Sequence, residues 1–202
     1  MSESDTPLKE TVDSTTRTIS PQKEEKGESF FDFIRFAIIA VVIVIPIRLF
    51  VAQPFVVSGA SMSPTFETGH YLIIDEISYR FEEPKRGEVI VFRFPFEKKK
   101  FLIKRIVALP GETIKIQNDT VIIKNGEYPD GFEWKQGTIN SSRTGAEQEV
   151  TLKDDEYFVM GDNRDESADS RLWGPLKRNF ITGRPLIRLF PLTQIDLFPG
   201  KW

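Results

Sequence analysis

The chain has 202 residues, 40% of them hydrophobic, a net charge of −3 and no cysteine. That length holds one modest domain beside a short accessory segment. The acidic balance argues against a nucleic-acid partner, and without cysteine neither a disulfide framework nor a thiolate zinc site can form.

Residues 1–29 are rich in Ser, Thr, Glu and Lys and lack any aromatic residue, a composition that predicts a disordered tail. The composition changes at Phe30. Between Phe36 and Ile47 the sequence is free of charge. Arg35 and Arg48 flank it, where long side chains can reach lipid headgroups. Counted over 33–55, the apolar stretch is about 23 residues, or roughly 34 Å of helix, enough to cross a hydrocarbon core. We expect a transmembrane anchor over 30–53; a buried helix of a soluble domain is the competing reading. A cleaved leader does not fit, because a long polar segment precedes the apolar core and no A-x-A site follows it directly. Arg17, Lys23, Lys26 and Arg35 lie on its amino side, and no Lys or Arg occurs over 53–79. This bias predicts a cytoplasmic amino end and an extracytoplasmic remainder at the cytoplasmic membrane.

Beyond the anchor, short β-rich runs predict strands over 71–75, 88–93, 101–108 and 156–160. The runs 114–117 and 120–123, joined by Asn118 and Asp119, predict a hairpin. A last strand is expected over 186–190, between Pro185 and Pro191. No amphipathic helical period of useful length follows the anchor. The expected fold class is therefore mainly β: one N-terminal transmembrane helix, then an antiparallel β-rich domain over 54–202. Within it, about 114–149 reads as a small insertion bearing no catalytic constellation.

Two segments carry chemistry. Residues 58–65, Ser-Gly-Ala-Ser-Met-Ser-Pro-Thr, put Ser61 on a small-residue turn just past the apolar span. Lys104 stands inside an apolar strand, on one face with Leu102 and Ile106, while Arg105 points the other way. A free lysine, with a pKa of about 10.4, is too protonated to act as a base near neutrality. Burial disfavours the ammonium form and can correct this. Ser61 and Lys104 together form a candidate nucleophile and general base that needs neither metal nor cofactor. Taken singly, Ser61 is a turn residue and Lys104 an edge-strand lysine that blocks aberrant pairing. The run Asp162-Asn163-Arg164-Asp165 is rich in oxygen ligands but lacks the spacing and closing glutamate of a calcium loop. His70, the single histidine, is expected to have a surface or structural role.

The chain resembles the bacterial type I signal peptidases, membrane-anchored leader peptidases with a serine–lysine dyad. The resemblance runs from the anchor to about residue 192 through a series of boxes in order. These are 61–65; the strands 71–74 and 86–92; the lysine box 103–112, Ile-Lys-Arg-Ile-Val-Ala-Leu-Pro-Gly-Glu; and 161–171 with Trp173 and Gly174. It implies that Ser61 is the nucleophile, Lys104 the general base and the Ser61 amide an oxyanion donor. Ser167 matches the residue that orients the lysine amine. Arg105, Asp162, Asp169 and Arg171 match positions that support the site through charge pairing. Gly59 falls where some relatives place a second serine hydroxyl. The implied substrates are signal peptides of exported preproteins with small residues before the cut, met at the lipid bilayer. Val57, Met62 and Ile103 flank the dyad in sequence and are candidates for lining shallow substrate pockets. A specialised peptidase with one substrate, such as a pilus subunit, and an inactive membrane-tethered β module are the alternatives.

Overall fold

The protein is described by a computed structural model covering residues 26–46, 52–117, 120–135 and 147–201. The expected disorder of 1–29 falls largely outside these residues. The chain divides into one unit ending at Val41 and a second beginning at Val42. Helix α1 spans Lys26–Pro46. From Phe36 onward it carries only apolar residues and no Asp, Glu, Lys or Arg. Its large side chains, among them Phe36, Val41 and Val44, are exposed. Among the described residues, no helix is long and apolar enough to cross a membrane. The residues that follow α1, 47–51, lie outside the description.

The carboxyl end of the expected anchor has a different structure. Ala52 and Gln53 belong to strand β1 (Ala52–Val56), which pairs antiparallel with β2 (Tyr71–Asp75) from Ala52↔Asp75 to Val56↔Tyr71. Apolar composition alone cannot separate the end of a span from an apolar strand that follows it. Pro54 is tolerated there because β1 is an edge strand, where a missing N–H leaves no ladder bond unmade.

The second unit is built on two antiparallel sheets. The larger adds β3 (Val89–Phe94), β4 (Glu97–Ala108), β9 (Glu156–Met160), β10 (Leu176–Lys177) and β11 (Ile181–Phe190). Its order is β1-β2-β11-β3-β4-β9-β10, with β12 (Asp196–Leu197) paired to β11. The smaller sheet is β7-β6-β5-β8, from β5 (Thr113–Gln117), β6 (Thr120–Lys124), β7 (Phe132–Glu133) and β8 (Gln148–Thr151). Its hairpin strands alternate strictly between buried and half-buried residues, as a one-sided sheet requires. Residues 118 and 119, the expected turn, lie outside the description.

The expected last strand starts earlier, at Ile181, and runs through Pro185. The register against β2 shifts between Pro185 and Ile187, an irregularity that accommodates the missing donor. Three apolar cores form. Val107, Ala108, Phe158 and Met160 of the larger sheet bury the inner face of the smaller one, including Ile114, Ile116, Val121 and Ile123. Ile90, Phe92, Ile106 and Val159 centre a second core. Met62, Phe66, Leu72, Ile74 and Val91 make the third, beneath the 58–65 turn.

Candidate active site

Strand β4 lies inside the larger sheet, between β3 and β9, with Lys104 opposite Ile90 and Arg105 opposite Val89 and Met160. This excludes the edge-strand reading of the lysine. Alternation sends Lys104 and Arg105 to opposite faces, yet both are buried, because a central strand is covered on each side. The Lys104 Nζ lies 2.6 Å from Ser61 Oγ and donates to the Ile103 carbonyl at 2.9 Å. Burial pushes the Lys104 ammonium down to about 8, opposed by Asp169 and Asp162 and assisted by Lys100 and Arg171. A lysine so placed has an appreciable neutral fraction near neutral pH and can take a hydroxyl proton.

Ser61 itself is half-buried, on a turn closed by Ser63 N–H to the Ala60 carbonyl and Phe66 N–H to the Met62 carbonyl. Its own carbonyl accepts from Asn163 N–H at 3.0 Å. Gly161 makes this docking possible. A Cβ there would stand 2.4 Å from the Ser61 carbonyl oxygen and 2.3 Å from Ser167 Oγ. Gly59 has φ +100, a backbone that a serine adopts only with strain. That accounts for glycine at position 59.

The supporting charges form two fully engaged pairs. Arg105 holds Asp162 bidentately, Nε to Oδ1 at 2.9 Å and an η nitrogen to Oδ2 at 2.7 Å. Its other η nitrogen donates to the carbonyls of Gly87 and Gly200, both at 2.7 Å. Asp162 also accepts from Thr65 Oγ1 at 2.5 Å, so its oxygens are committed within the protein. Asp162 is thereby not free to serve as an oxygen ligand in that run. Arg171 grips Asp169 through Nε and an η nitrogen, each at 2.8 Å, and reaches the Arg164 carbonyl at 2.7 Å. Asp169 accepts in turn from Gly161 N–H and caps the short helix α2 (Ser170–Trp173). Among the described residues no cluster of three or more His, Asp or Glu is arranged to hold a metal ion.

The 161–171 loop thus brings Asp162, Ser167, Asp169 and Arg171 around Ser61 and Lys104. Ser167 is buried, but its Oγ has no hydrogen-bond partner among the described residues, so it does not bond the lysine amine here. Val57 and Ile103 line an apolar cleft of about 90 Å³ with Phe55, Leu72, Val91 and Phe101. Met62 does not line that cleft; it is fully buried in the core beneath the turn. His70 is buried and accepts from Glu67 N–H through Nδ1. Burial and Arg188 lower its pKa, as suits a neutral structural imidazole. Asn163, Gly161 and Gly200 join the site through backbone groups, which the side-chain chemistry of the sequence does not signal, and Arg188 joins it by donating from its guanidinium to the Thr65 carbonyl.

A sheet-borne lysine buried against the hydroxyl of a turn serine is the arrangement that a serine–lysine hydrolase requires. The family model described as "Signal peptidase, peptidase S26" matches residues 30–190, and the chain belongs to that family. It is 34% identical over 192 residues to a probable signal peptidase I-2 of Synechocystis sp., covering 92% of this chain and 85% of that one. It is 36% identical over 163 residues to a probable signal peptidase I-1 of the same organism, covering 77% and 80%. With a signal peptidase I of Bacillus caldolyticus the identity is 35% over 184 residues, covering 87% and 97%.

Proposed function

We propose that this chain is a membrane-anchored type I signal peptidase that cuts signal peptides from exported preproteins with Ser61 as nucleophile and Lys104 as general base. The observation that carries the reading is the 2.6 Å approach of Lys104 Nζ to Ser61 Oγ in a setting that favours the neutral amine. Neutral Lys104 takes the Ser61 proton as Oγ bonds to the scissile carbonyl carbon. The ammonium returns that proton to the leaving amine as the peptide C–N bond breaks, leaving an acyl-enzyme. Water then attacks the ester, its proton passing to Lys104, and Ser61 is regenerated. The Ser61 amide stabilises the tetrahedral oxyanion. Ser167, with an uncommitted buried hydroxyl beside the Ser61 backbone, is the side chain assigned to orient the amine. The small apolar cleft beside Val57 and Ile103 suits a side chain of alanine size.

The exposed apolar surface of α1 and the Lys/Arg bias of the sequence support an anchor with its amino end in the cytoplasm. The test is cleavage of a preprotein bearing an A-x-A site by the purified full chain, beside Ser61→Ala. Cleavage lost in the variant is the expected result. A wild-type protein that cuts no such preprotein, or an active Ser61→Ala, overturns the reading. Protease digestion of intact and opened spheroplasts tests the topology. In a depletion strain, general precursor accumulation is expected, and accumulation of one precursor alone would indicate a dedicated peptidase.

A further inference from the structure

The nucleophile turn is pinned at two places. At its start the Ser61 carbonyl accepts from Asn163 N–H. At its end the hydroxyl and the carbonyl of Thr65 are both taken: Oγ1 donates to Asp162 at 2.5 Å, and the carbonyl accepts from an η nitrogen of Arg188 at 3.0 Å. Each contact runs back to one stretch of chain. Arg188 Nε donates to the Gln194 carbonyl at 2.7 Å, and its guanidinium lies 3.6 Å from Asp196. Asp162 is held by Arg105, which donates to the Gly200 carbonyl at 2.7 Å. The next residue, Phe66, is fully buried, and Gly200 passes so close that a Cβ would meet its ring at 3.0 Å. Residues 194–200 therefore reach Thr65 by two separate arginines and reach Phe66 by direct packing.

We propose that Thr65 is a positioning residue for Ser61, and that the 194–200 segment sets the nucleophile's position through it by way of Arg188 and Arg105. The inference rests on Ser61 being the nucleophile. Three residues of turn, Met62, Ser63 and Pro64, separate Thr65 from Ser61, and Phe66 N–H to the Met62 carbonyl makes them one closed unit. A shift at Thr65 is carried to Oγ, whereas the cleft beside Val57 and Ile103 is built from other strands. The loss therefore falls on turnover and spares substrate binding. A misplacement of about 1 Å can cost of order a hundredfold in rate.

The experiment measures kcat and KM of the full-length protein in detergent, with a short peptide bearing small residues before the cut. Thr65→Val keeps the shape and removes only the Oγ1 bond; Thr65→Ser restores it; Arg188→Gln breaks the second route. Thr65→Val and Arg188→Gln are each expected to lower kcat about tenfold or more with KM within about twofold. Thr65→Ser is expected near wild type. The proposal is overturned by a Thr65→Val kcat within about twofold of wild type, by a Thr65→Ser no better than Thr65→Val, or by losses borne by KM. Should Thr65→Val fail to fold, Arg188→Gln decides alone on the same criterion. Ser61→Ala in parallel separates the two layers: its activity would remove the nucleophile assignment, whereas its inactivity beside a normal Thr65→Val would remove only this inference.

Discussion

Charge is treated in opposite ways around the site and on the exposed surface of the smaller sheet. On the smaller sheet two ion pairs are solvent-facing, Lys124 with Glu149 and Lys135 with Glu133, whose side chains keep between 36% and 78% of their exposure, while Arg86 with Glu112, just ahead of β5, is covered at 14% and 8%. The core beneath them is wholly apolar. Around the site, on β4 of the larger sheet and the 161–171 loop, the pairs are sunk: Arg105–Asp162 at 3% and 0%, Arg171–Asp169 at 8% and 0%. Exposed pairs of the first kind contribute little to stability. Buried ones do not repay their desolvation over an apolar replacement, but breaking one strands a charge at high cost. The smaller sheet is therefore built for stability. The larger one carries a costly arrangement whose product is geometry, with Lys104 and the turn serine held in register.

The sharpest way to break that contrast is at the lysine. Lys104→Arg keeps a positive charge that cannot be removed at working pH, and kcat/KM for a short peptide should fall by about a hundredfold or more at every pH. In the wild type, activity should climb as pH rises through about 8, where Lys104 loses its proton. A profile that keeps this limb after Lys104 is replaced would place the base elsewhere. Stability carries the same signature. The Lys104 pKa lies below its ordinary 10.5, so between about 8 and 10.5 the unfolded chain binds more protons, and stability contributed here rises with pH across that window. Chemical denaturation of Lys104→Met across that range should show the rise flattened.

Next in size is Asp162→Asn. It leaves the buried Arg105 charge without its counter-ion and should cost about 3–5 kcal/mol in a denaturant titration. A loss under 1 kcal/mol would mean that the pair is not desolvated as its burial indicates. Ser167→Ala should then lower kcat about tenfold with KM retained, because it removes orientation and not the base. Wild-type turnover would leave Ser167 without its assigned part. The smallest effect is expected on the other sheet. Glu149→Gln opens an exposed pair and should change stability by no more than about 0.5 kcal/mol. A larger change would mean that the smaller sheet, too, depends on its charges.

The same contrast explains what could be read from the chain. Strands β2, β9 and the β5–β6 hairpin announce themselves by β-branched runs between turn residues. Ser61, Lys104, Arg105, Asp162, Asp169 and Arg171 stand in boxes whose side-chain chemistry is explicit, and the fold brings them together. The rest is hidden for physical reasons. The first residues of β4, Glu97–Lys100, are exposed and charged, so no apolar pattern marks them as strand. Strand β11 contains a proline, and only its irregular pairing with β2 shows how that is borne. Strand β1 follows an apolar helix without a change of composition. Met62 was a pocket candidate by its place beside Ser61, but on a tight turn adjacent side chains diverge, and this one goes to the core. Gly200 acts through a carbonyl, which every residue possesses, so its identity carries no sign of the task.

Gly161 extends that last point to mutation and design. It brings no reactive group to the site, and its contribution is an absence of volume that lets one loop lie on another. Most functional positions tolerate a graded series of replacements, each a little worse than the last. This one has no gradation: the first added carbon already falls 2.4 Å from the backbone oxygen of Ser61, which cannot rotate aside as a side chain could. A methyl group here therefore reaches the chemistry while every reactive atom stays in the protein, which makes the position suited to an inactive enzyme that still presents its cleft for substrate capture.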